Sequence, residues 1–157
     1  MRARAIATAL ALLAAAGASP AAAFLRQPYI SLPETLRGTV QVPTDGPVRG
    51  GPIDTLRDLY PALASCWRAP EGLSRFERTE ITVRFSLRRD GSVIGVPRVT
   101  FSRTPADERG RALLVEATLA AVRRCTPAPV TPGLGGAIAG RPLALRFVYE
   151  GPRGQGV

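Results

Sequence analysis

The chain has 157 residues, room for one ordinary domain. It carries 21 basic residues, every one an arginine, against 12 acidic, for a net charge of +9. It has no histidine, which removes the commonest general base and the commonest metal ligand together.

Residues 1–23 read as a secretory signal peptide. Arg2 and Arg4 supply the positive start, Ile6 to Ala16 an apolar run, and Ala21-Ala22-Ala23 a small-residue cleavage site behind Pro20. Cleavage is expected between Ala23 and Phe24. The alternative is an uncleaved membrane anchor, but the apolar run is shorter than the ~20 residues of a span. An exported chain with two cysteines, Cys66 and Cys125, is expected to pair them. The bridge would close a loop of about 60 residues, which the chain-entropy estimate values at roughly 4 kcal/mol.

Residues 24–52 are crowded with proline and glycine and read as a linker. Two short pieces, Tyr29-Ile30-Ser31-Leu32 and Thr39-Val40-Gln41-Val42, are candidates for local pairing at an edge. From Ile53 the period becomes helical: Ile53, Leu56, Tyr60, Leu63 and Trp67 recur at steps of three and four. Pro52 and Asp54 suit its first turn. Pro61 leaves two readings, a kinked helix or a short turn followed by a helix from Pro61; both end near Cys66.

Ile81, Val83, Phe85 and Leu87 alternate with polar residues, the pattern of a strand with one buried face. Arg89-Asp90-Gly91-Ser92 is a hairpin turn. A second strand follows from Val93 to Phe101. Gly95 and Pro97 predict a bulge or an edge position there, with Val99 and Phe101 returning to the core. Thr104 caps the predicted next helix, Pro105, Asp107 and Glu108 suit its first turn, and it runs to about Cys125. Arg123 and Arg124 then sit at the negative end of its dipole. Residues 126–140 hold three prolines and four glycines and read as a loop. Leu143, Leu145, Phe147 and Tyr149 alternate as a third strand, and residues 151–157 form a polar tail.

The predicted fold class is α+β: a two-layer sandwich, a three-stranded antiparallel sheet packed by two helices in the order α-β-β-α-β, with one disulfide. The domain spans residues 53–150. No catalytic constellation and no cofactor or metal motif is visible: Glu80, Asp90 and Glu116 lack pairing, and a reactive cysteine would need an activating partner. The chain therefore reads as a binding protein and not an enzyme. Arg84, Arg88 and Arg146, on the polar faces of the strands, are the candidate partner-binding residues, able to steer an acidic partner; singly, each also fits a solvated strand face. The arginines are scattered and few aromatics interleave with them, so no nucleic-acid partner is expected and binding to anionic polymers ranks below protein binding.

The set Cys66-Trp67 with Pro70, Val83-Arg84-Phe85-Ser86-Leu87-Arg88-Arg89-Asp90-Gly91-Ser92-Val93, Gly95-Val96-Pro97 and Ala121-Val122-Arg123-Arg124-Cys125 resembles the C-terminal domain of TolA and, more loosely, of TonB. The resemblance covers about residues 53–150. It implies a small periplasmic α+β module in cell-envelope integrity or Tol/Ton-type interactions, binding a Tol–Pal-like protein or an outer-membrane transporter at an exposed sheet edge. The second and third strands are the expected providers of that edge. The chain departs from the family in its cleavable leader and its linker of about 30 residues, too short at roughly 3.5 Å per residue to cross a periplasm. Only the binding module is therefore implied, with no stable membrane span.

Overall fold

A computed structural model describes residues 34–43, 51–73 and 78–150. The predicted leader, the first and last parts of the predicted linker with Tyr29–Leu32, and the predicted tail lie outside the described residues. The elements run β1 (Leu36–Val42), α1 (Leu56–Ala64), β2 (Thr79–Leu87), β3 (Val93–Arg103), α2 (Glu108–Arg124), α3 (Pro132–Ile138) and β4 (Leu143–Tyr149).

The α+β class is as expected, but the described sheet has four strands and there are three described helices. The strand order is β1-β4-β2-β3. β4 runs antiparallel to β2, β2 antiparallel to β3, and β1 parallel to β4. The extra strand, β1, falls inside the predicted linker. Its Thr39–Val42 part is the piece expected to pair at an edge, here extended back to Leu36; Arg37, Thr39 and Gln41 are exposed while Val40 and Val42 are buried. Gly38 lies against the Tyr60 ring of α1, so closely that a Cβ there would overlap the ring. β1 thus reaches the sheet only because residue 38 has no side chain.

The extra helix, α3, falls inside the predicted loop. Thr131 caps it by accepting from Leu134 N at 3.2 Å, and Leu134 and Ile138 are buried. Its glycines weaken helical propensity. Tertiary contacts hold it instead: Gly135 lies against the Arg89 backbone, and Thr131 donates to Asp54 Oδ1 at 2.7 Å. A parallel bridge between Ile53 and Val130 ties the start of α1 to the start of α3. Asp54, expected to serve the α1 dipole, is engaged there, and Thr55 is the cap, accepting from Asp58 N.

α1 runs unbroken through Pro61, which resolves the two readings of that segment. Pro61 is exposed, while Leu59, Tyr60, Leu63 and Ala64 are buried. The helix forfeits one backbone bond at the proline, and burial of its apolar stripe offsets that loss. α2 is capped by Asp107, whose carboxylate accepts from Gly110 N at 2.7 Å, three residues beyond the expected Thr104. Thr104 instead accepts from Ala106 N and from the Thr79 hydroxyl.

The inner sheet face carries Ile81, Val83, Phe85 and Leu87 of β2 and Leu143, Leu145, Phe147 and Tyr149 of β4, all buried with the helices' apolar residues in one core. The disulfide Cys66–Cys125 is present, its Cα atoms 5.7 Å apart, joining the chain just past α1 to the C-cap of α2. Trp67 packs beside it, its ring 4.8 Å from that of Tyr149 and its indole N–H donating to Thr118 Oγ1 at 3.3 Å. Arg124 donates to the Cys66 carbonyl at 2.8 Å, closing the end of α1 with the end of α2. No described helix is long and apolar enough to cross a membrane.

Candidate functional site

Four strands in the order β1-β4-β2-β3 leave two edges, β1 and β3. The two strands named as edge candidates therefore part company. The Val93–Arg103 strand is an edge. The Leu143–Tyr149 strand is interior, because β1 pairs along its whole length from Leu36↔Leu143 to Val42↔Tyr149.

β3 is irregular for local reasons. Its pairing with β2 shifts register between Thr82 and Val83 and again between Arg84 and Ser86. Gly95, at φ +68°, and Pro97 fall in the second shift, where a missing Cβ and a missing N–H are tolerated on an edge. The first shift makes Thr100 an extra residue between Val99, paired with Val83, and Phe101, paired with Thr82. That insertion reverses the expected placement of Phe101. The ring turns to the outer face, 42% exposed, while Val99 stays partly buried against the core. Ile94 and Val96 are likewise exposed, Val96 at 75%. All three large exposed apolar side chains of the described residues thus lie on this one edge strand.

The three predicted arginines have different fates. Arg146 is held on the outer face: its Nη1 donates to Glu80 Oε2 at 3.2 Å, its Nε to Thr82 Oγ1 at 3.4 Å, and its guanidinium carbon lies 5.1 Å from the centroid of Phe101. Arg88 is committed to the hairpin, donating to Val93 O at 2.8 Å and to Ser92 Oγ at 3.3 Å. Arg84 is exposed and makes no hydrogen bond or ion pair among the described residues. Its cross-strand neighbour on β3 is Arg98, also exposed and without such a partner among them. Directly opposed residues of an antiparallel pair share a face with Cβ atoms about 5 Å apart, so these two cations stand side by side. Arg98, Ile94 and Val96 were not among the predicted site residues. Their one sequence signal is the Gly95/Pro97 disruption, which marks an edge.

The hairpin that presents this edge is firmly built. Asp90 accepts from the Ser92 hydroxyl at 2.6 Å and from Ser92 N at 2.9 Å. Those bonds, the hydroxyl's first, hold its carboxyl below the usual carboxylate range. Gly91 takes φ +78° and its carbonyl accepts from Ala128 N at 3.0 Å; a side chain there would strike the Ala128 backbone. Arg88, Arg89, Asp90, Ile94, Ala139 and Gly140 line a depression of about 580 Å³ beside the start of β3. Among the described residues no group of histidine, cysteine, aspartate and glutamate side chains is placed to hold a metal ion.

The fold and this surface define the class: a small disulfide-linked α+β domain with an open, apolar and arginine-bearing sheet edge. Residues 49–151 match the model of the family described as uncharacterised conserved protein UCP034077, and the chain belongs to that family. No curated protein and no solved structure matches it.

Proposed function

We propose that this chain is a non-catalytic, periplasmic protein-binding module of the cell envelope, similar in role to the TolA/TonB C-terminal domains. It receives an extended segment of a periplasmic or outer-membrane protein as a further strand on β3. The observation that carries this reading is the convergence of Ile94, Val96 and Phe101, the exposed large apolar residues among those described, on a sheet edge that no described strand pairs. An edge with exposed apolar groups invites pairing, and charge, proline and bulges of the kind β3 carries restrict which strands it accepts. β3 spans eleven residues, interrupted by two register shifts and by Pro97, so its regular stretches are what an added strand would pair with. Backbone bonds along such an edge supply affinity, and the alternating side chains supply selectivity. The leader-like residues 1–23 and the disulfide support export.

A photoreactive residue at Val96 tests the reading. Irradiated in its own envelope, the protein is expected to give one dominant adduct, mapped to a contiguous segment of an envelope protein. Ile94→Lys should abolish it, and the same probe at Gln41 on the β1 edge should not form it. Equal labelling from both edges, or none from Val96, would count against an edge-binding function.

A further inference from the structure

On the outer face, the partner that Arg84 and Arg98 lack among the described residues is a carboxylate. We infer that the segment received by β3 is acidic, and that the Arg84–Arg98 pair binds an aspartate or glutamate side chain of it. The inference rests on the edge-binding reading and adds the chemistry of the partner.

Like charges set directly across a sheet destabilise it. The other outer-face arginine of the neighbouring strand shows how this sheet handles such a charge, since Arg146 is neutralised by Glu80 and stacked on Phe101. Arg78 is neutralised likewise by Glu80 and Glu150. Arg84 and Arg98 have neither an acid nor a ring among the described residues. The bulges of β3 bring Arg98 opposite Arg84 rather than letting it fall on another register. The cost is local and unrelieved among the described residues.

An added strand would relieve it. It would lie about 4.8 Å beyond β3, and its outer-facing residue opposite Arg98 would have its Cβ about 5 Å away. Arg84 is one strand further, roughly 10 Å from that position, a gap that an arginine and a glutamate side chain span together. Guanidinium groups bind carboxylates through paired N–H donors, so two of them can share one acid or take two. The flanking apolar residues Ile94, Val96 and Phe101 then meet apolar residues of the same strand. The occupant is thus a strand mixing acidic and apolar side chains.

A second copy of this chain does not fit. Antiparallel self-pairing along β3 would bring two Arg84–Arg98 pairs together in a chain whose net charge is already +9. A polyanion would satisfy the arginines but would leave the open backbone edge and the apolar groups unused.

Panning a phage-displayed random nonapeptide library over the protein tests this. The selected peptides are expected to carry Asp or Glu at alternate positions with apolar residues among them. By fluorescence polarisation in low salt, Arg84→Gln with Arg98→Gln should weaken a selected peptide about tenfold. It should leave the Glu→Gln version of that peptide unchanged. The double substitution should also raise the thermal midpoint of the free domain slightly, because it removes a repulsion. Peptides that bind β3 without acids, indifferent to the substitution, would overturn the inference while leaving the edge function intact. Failure of any peptide to bind would overturn both. Heparin binding as tightly as the peptides and losing affinity equally in the variant would overturn the assignment to a protein strand.

Discussion

Trp67 buries its ring against Tyr149 and keeps one polar obligation, the indole N–H, which Thr118 meets from the middle of α2. Thr118 in turn donates to Leu114 O at 2.8 Å, so one hydroxyl serves a backbone carbonyl and a neighbouring side chain. Thr118→Val keeps the shape and removes the acceptor. An unsatisfied buried donor costs about 1–3 kcal/mol, so the urea midpoint should fall accordingly. In a Trp67→Phe background the same substitution should cost much less; an equal cost in both backgrounds would refute the link. At this scale the sequence was only partly legible. Trp67 is legible as the last apolar residue of the helical period that starts at Ile53, and it is buried. Phe101 misleads, because its face depends on one extra residue, Thr100, whose insertion no period of two can announce. Arg146 and Arg84 look alike along the chain; only cross-strand pairing gives one an acid and the other a second arginine.

Elements with a full amphipathic period were legible: α2, β2 and β4 follow their apolar spacing closely. β1 and α3 were not. Each is short, each sits among prolines or glycines, and each is held by partners distant in sequence, Tyr60 and β4 for β1, Arg89 and Asp54 for α3. Propensity is a weak guide where tertiary contacts decide. The edge assignment failed because the Thr39–Val42 piece, expected to pair only locally at an edge, pairs instead along β4, which had looked like a border. The cysteine pair, by contrast, was readable from compartment logic alone, and its effect belongs to the elements it joins. It links the ends of α1 and α2 across a sequence separation of 59. Cys66→Ser with Cys125→Ser should lower the unfolding free energy by up to roughly 4 kcal/mol. Reductant should do the same to the unaltered chain and nothing further to the variant, as followed by urea denaturation. A midpoint unmoved by either would show that the helix ends hold without the bridge.

Across the whole molecule, the titrating groups set a wide range of even stability. Asp90, through its Ser92 bonds, and Glu108, through the Arg111 hydrogen bond, sit below the usual carboxylate range in the folded chain. A depressed folded value stabilises above the unfolded one, so this contribution is present above about pH 4 and is lost as the pH falls further. Burial raises the phenols of Tyr60 and Tyr149. A raised folded value stabilises below the unfolded one, so theirs is present up to about pH 10 and is lost as the pH rises beyond. With no histidine in the chain, the thermal midpoint should stay flat from about pH 5 to 9 and decline on both sides. A step within that range would contradict this assignment of the titrating groups.

The strand order carries one more consequence, for the history of each molecule. β4 follows every other described element in sequence, yet it lies between β1 and β2 and pairs with both. Until it emerges, β1 has no neighbour and the β2–β3 hairpin has an empty flank where the middle of the sheet belongs. The sheet therefore closes only once the final strand has arrived, and an incomplete nascent chain has no native sheet to lock into.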